Sequence, residues 1–102
     1  QASDGISLQP VEYSLLQNYP NPFNPSTTIR YSIQKLSSVT LEVFNILGER
    51  VRTLVRSEQI AGVYSVTWDG ATDAGSTASS GVYLYRLQAG EFRASKKLVV
   101  IH

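Results

Sequence analysis

Apolar and polar positions alternate with a period of two along most of this chain. In Thr27-Thr28-Ile29-Arg30-Tyr31-Ser32-Ile33, Ile29, Tyr31 and Ile33 share one face, and Arg30 and Ser32 share the other. Val39, Leu41 and Val43 repeat the alternation against Thr40 and Glu42. Gly48-Glu49 makes a turn and Val51 to Val55 returns, which is a hairpin signal. Val63 to Trp68 sets Tyr64, Val66 and Trp68 on one face. Val82 to Leu87 does the same with Tyr83, Tyr85 and Leu87, and Phe92 to Ile101 closes the chain. With a first extended piece from Tyr13 to Tyr19, this predicts about seven short strands. No stretch sustains a helical period.

Seven alternating strands in a single-domain length predict an all-β fold, a two-sheet antiparallel sandwich. Residues 1–12 (QASDGISLQPVE) are polar and irregular and read as a linker or N-terminal tail; residues 13–102 read as the sandwich. Ile29, Tyr31, Leu41, Val43, Tyr64, Val66, Trp68, Tyr83 and Tyr85 are the expected core, with Trp68 as a large central filler. Residues 69–80 (DGATDAGSTASS) read as a polar loop.

One segment breaks the alternation. Three of the four prolines fall within Pro20-Asn21-Pro22-Phe23-Asn24-Pro25. Each proline fixes φ and removes a backbone donor, and Asn21 and Asn24 are pushed toward extended geometry by the proline that follows. The segment reads as a stiff loop with no ladder role. It sets the entry into the next strand, with Phe23 plugging one end of the sandwich.

Composition narrows the function. At 102 residues the chain is long enough to bury a substantial core. Nine Lys+Arg stand against eight Asp+Glu, so bulk charge does not draw it to nucleic acid or to an anionic membrane. The longest apolar run, Leu98-Val99-Val100-Ile101, is too short for a membrane span. There is no cysteine, so the redox compartment cannot be read. Opening on Gln1 rather than Met reads as a processed product or an excised piece of a longer protein.

The catalytic inventory is poor. The single histidine is the last residue, His102, which argues against Ser-His-Asp or Cys-His chemistry and against an ordinary zinc site. No phosphate-cradling glycine loop has the required strand–helix context. The expectation is no enzyme and no cofactor. Asp69 and Asp73 are the weak candidates for a metal such as calcium, which needs more oxygen ligands than they supply. The simpler reading makes both of them Asx-turns. Lys96-Lys97 reads as a solvated edge that discourages unwanted pairing.

The run Tyr19-Pro20-Asn21-Pro22-Phe23-Asn24-Pro25-Ser26-Thr27-Thr28-Ile29 resembles the opening signature of the type A C-terminal sorting domains of the type IX secretion system. Four further blocks follow in order: Val43 to Val51, Ala61 to Gly70, Ser80 to Leu87, and Lys96 to Val99. The immunoglobulin-like domain of flagellar hook-capping proteins shares much of this pattern. The resemblance implies an immunoglobulin-like sandwich at the C-terminus of an exported protein, secreted or held at the cell surface. It implies secretion-system proteins and a sortase-like peptidase as partners. The residues it singles out for recognition are Gly62, Tyr64, Gly81, Tyr83, Lys96 and Lys97. Here the chain ends Val100-Ile101-His102, without the lysine or arginine often found at that end.

Two other functions compete. One is a structural subunit of an extracellular filament, in which Ile6, Leu8 and Val11 of one copy dock on a strand edge of its neighbour. The other is a carbohydrate-binding accessory module, which requires an exposed aromatic row that includes Trp68, Tyr83 and Tyr85.

Overall fold

The computed structural model describes residues 12–101. Seven strands follow one another: β1 (Ser14–Leu15), β2 (Thr27–Ile33), β3 (Ser37–Phe44), β4 (Arg50–Gln59), β5 (Gly62–Trp68), β6 (Gly81–Ala89) and β7 (Phe92–Val100). They form two antiparallel sheets, one in the order β1-β2-β5 and the other β4-β3-β6-β7. This is the two-sheet antiparallel sandwich the alternation predicts, with the immunoglobulin-like architecture the resemblance implies. No helix occurs among the described residues.

Alternation decides which side of each strand is buried. Ile29, Tyr31 and Ile33 of β2 face Val39, Leu41 and Val43 of β3 and Tyr85 and Leu87 of β6 in a core from which solvent is almost excluded. Trp68 is 1% exposed, with its ring 5.4 Å from that of Phe23 and 6.1 Å from that of Tyr83. Its indole N–H donates to the Ala71 carbonyl at 2.8 Å, so the one polar atom of this large side chain is satisfied. Burial of Trp68, Tyr83 and Tyr85 removes the aromatic row that carbohydrate binding requires, and that reading fails.

Three expectations need correction. Tyr64 and Val66 are only half-buried, because β5 lies at the edge of its sheet and its inner face is covered from one side only. Tyr64 instead stacks on Tyr31 with ring centroids 5.3 Å apart. The return strand of the central hairpin runs from Arg50 to Gln59 rather than ending at Val55. Its pairing with β3 slips twice, leaving Val51 and Leu54 as extra residues, and both pack on the core. These bulges break the period of two, so the alternation stops short of the strand. The first extended piece pairs as β1 only at Ser14 and Leu15, and touches β2 again through an isolated bridge between Tyr19 and Thr28.

Candidate functional site

The entry segment is built around Asn18. This side chain is 2% exposed, and its amide donates to Thr27 Oγ1 at 2.9 Å and to the Pro20 carbonyl at 3.2 Å. Thr27 Oγ1 in turn donates to the same carbonyl at 2.8 Å. The Asn18 backbone N–H donates to the Tyr85 hydroxyl at 2.8 Å, and that hydroxyl donates to the Leu16 carbonyl at 2.6 Å. Burial pushes the Tyr85 hydroxyl up to about 12, against the opposing effect of the Asn18 N–H. Neither Asn18 nor Thr27 stood out in the sequence. The signal was a polar pair flanking the proline run, without any periodicity to mark it.

From this anchor the segment reaches β7, and here the expectation of no ladder role is wrong. The Phe23 N–H donates to the Val99 carbonyl at 3.1 Å, and the Ile101 N–H donates to the Phe23 carbonyl at 3.1 Å. Asn21 Oδ1 accepts from the Val99 N–H at 2.9 Å, and Gln17 Nε2 donates to the Lys97 carbonyl at 2.7 Å. Pro20, Pro22 and Pro25 have no backbone donor, whereas Phe23 keeps one, and it is used. The outer edge of β7 from Lys97 to Ile101 is thereby closed. Phe23, 2% exposed, fills the end of the sandwich as expected.

The residues singled out for recognition do not form one cluster. Gly62 and Tyr64 open β5, opposite Ile33, at one end of the sandwich; Gly81 and Tyr83 open β6, opposite Val100, at the other. Each pair repeats one local device, Gly-Val-Tyr. The Tyr64 hydroxyl donates to the Ile60 carbonyl at 2.6 Å, and the Tyr83 hydroxyl donates to the Ser79 carbonyl at 2.6 Å, four residues back in each case. Gly62 and Gly81 have φ of +159° and +152°, a region open to glycine, and a Cβ at Gly62 would lie 3.7 Å from the Tyr64 ring. Both pairs thus close a strand start against the preceding loop.

Lys96 and Lys97 sit in the middle of β7, paired with Tyr85 and Leu84. Lys97 is exposed on the outer face, while Lys96 is half-buried on the inner face of the edge strand. The Ile6, Leu8 and Val11 segment lies outside the described residues.

The two aspartates separate in role. Asp69 Oδ1 accepts from the Ala71 N–H at 3.0 Å, the expected Asx-turn. Asp73 does not make one. Its Oδ1 accepts from the Thr53 N–H at 3.0 Å while its own N–H donates to the Val51 carbonyl at 2.9 Å. Oδ2 lies 3.5 Å from Arg50 Nε. The residue therefore pins the 69–80 loop to the edge of β4. Among the described residues no three His, Cys, Asp or Glu side chains come together as a metal site would require.

The fold and these strand-closing devices define a sandwich module of the immunoglobulin type. The chain belongs to the FlgD Ig-like domain family, whose model matches residues 25–91. It is similar to the basal-body rod modification protein FlgD of Escherichia coli (strain K12), with 41% identity over 56 residues, or 55% of this chain and 24% of that protein. The chain thus corresponds to about a quarter of that relative. Among solved structures it superposes on dimeric latent PorU from Porphyromonas gingivalis with a TM-score of 0.72 and 22% identity, over 99% of this chain and 10% of PorU. PorZ of the same organism gives 0.56 and 20% over 88% of this chain and 11% of PorZ. FlgD from P. aeruginosa gives 0.57 and 24% over 72% of this chain and 58% of that one. At these identities the superpositions speak to the fold alone.

Proposed function

We propose that this chain is a non-catalytic sorting and anchoring module, carried at the C-terminal end of a secreted or cell-surface bacterial protein and read by the type IX secretion machinery. Five motif blocks in the order of that sorting family support the reading. PorZ, described as an essential surface component of that secretion system, shares the fold, which is compatible with the reading. The observation that carries it is the state of β7. Its outer backbone edge is closed by Gln17, Asn21 and Phe23, while Lys97 stays at the surface. A partner therefore reads side chains on the last strand instead of adding a strand of its own there. A sortase-like peptidase then removes the module or exchanges it for an anchor. Fusing residues 1–102 behind a periplasmic reporter tests the proposal in a cell with a working type IX system. The reporter reaches the surface or the medium if the module is a sorting signal, and stays in the periplasm if it is not.

A further inference from the structure

Sheet edges are where folded strands recruit further strands, and three of the four edges here are blocked. β1 is two residues long. β7 is closed from Lys97 to Ile101 and carries Arg93, Lys96 and Lys97. β4 is bulged twice, tied to Asp73, and carries Arg50, Arg52, Arg56 and Glu58. β5 has none of these protections. Gly62-Val63-Tyr64-Ser65-Val66-Thr67-Trp68 is seven residues with no charge and no proline, in unbroken register with β2. Among the described residues, its backbone makes no hydrogen bond beyond the ladder to β2. Val63 is 73% exposed beside this edge, and Tyr64 and Val66 are half-buried for want of a neighbour.

We propose that β5 is a self-association edge, on which a second copy of this chain lays its own β5 antiparallel across a two-fold axis at Ser65. Two three-stranded sheets then become one sheet of six strands. Charge selects this edge, and its own sequence selects the occupant. Pairing β4 or β7 with a copy of itself would set arginines and lysines against one another, whereas β5 meets its copy without any charge. The pattern about Ser65 is also self-complementary. On the outer face Val63 meets the partner's Thr67, and on the inner face Tyr64 meets the partner's Val66. Aromatic–β-branched pairs of that kind are favourable across strands. The contact is isologous and closes at two copies. It is independent of the sorting reading.

Sedimentation equilibrium on the full 102-residue chain tests it. A strand-to-strand contact is small, so association is expected over roughly micromolar to millimolar concentrations. The apparent mass should climb from 11.2 kDa toward twice that value. Ser65→Lys, which sets two ammonium groups face to face, and Val63→Lys should both hold the mass at the monomer value with the fold unchanged by circular dichroism. Since the chain has no cysteine, Ser65→Cys should give a disulfide-linked dimer on mild oxidation, and Ser95→Cys on the outer face of β7 should not. A monomer at every concentration overturns the proposal. So does a dimer that survives both lysine substitutions, since another surface would then hold it.

Discussion

The Tyr85 hydroxyl accepts the backbone N–H of Asn18 at 2.8 Å and donates to the Leu16 carbonyl, so the centre of β6 is one of the anchors of the entry segment. Gln17, Asn21 and Phe23, which close the outer edge of β7, lie on either side of this anchor. Tyr85→Phe keeps the ring and removes the hydroxyl, leaving the Asn18 N–H and the Leu16 carbonyl without their partner. The expected loss is about 1–3 kcal/mol, read as a lower urea midpoint at unchanged slope.

The same hydroxyl gives a pH signature. The folded value is raised above the unfolded value near 10, so the neutral phenol is the form the fold retains. Its contribution is whole below pH 10 and is lost as pH rises toward 12, because the unfolded chain releases the proton first. Burial raises Tyr31 as well. Denaturant midpoints should be flat with respect to these groups at neutral pH and fall above pH 10. The fall attributable to Tyr85 is on the order of 2–3 kcal/mol and absent in Tyr85→Phe. Equal falls in the two proteins would contradict the assignment.

Phe23→Ala empties the end of the sandwich beside Trp68. A loss of about 3–5 kcal/mol is expected, a large share of the stability of a domain this size. The amide of Ile101, which donates to the Phe23 carbonyl, should exchange faster with solvent.

Asp73 should discriminate between two substitutions. Asp73→Asn keeps an oxygen for the Thr53 N–H and changes stability little, since the partly exposed ion pair to Arg50 contributes less than about 1 kcal/mol. Asp73→Ala removes the acceptor of the Thr53 N–H, and that amide should lose its exchange protection. Calcium at millimolar concentration should leave Tm where it is in EDTA, because Asp69 and Asp73 are turned to different backbone amides.

The sandwich was legible wherever a strand has one buried face. β2 begins and ends where the alternation of Ile29, Tyr31 and Ile33 does, and β5 and β6 fall within two residues of expectation. Alternation names the inner face but not the place of a strand in its sheet, which is why Tyr64 and Val66 looked like core. The bulges at Val51 and Leu54 erased the period on β4. The roles of Asn18 and Asp73 depend on contacts with residues far along the chain. Composition carries no trace of such pairs. The proline run was legible as a rigid plug and misread as unpaired, because Phe23 keeps a donor that its flanking prolines lack.

Recognition of the last strand should reside in its lysines. Lys96→Ala and Lys97→Ala together should leave stability within about 1 kcal/mol, since neither side chain makes a hydrogen bond or ion pair among the described residues. Export of a fused reporter should drop in the same double variant. Equal export with the lysines removed would place recognition elsewhere on the module.

The most direct measurement of the central claim is the location of a reporter fused ahead of residues 1–102, compared between a type IX-competent strain and the same strain without its outer-membrane channel. Surface or medium localisation in the first strain and periplasmic retention in the second is the predicted result. Periplasmic retention in both strains would contradict the sorting function outright.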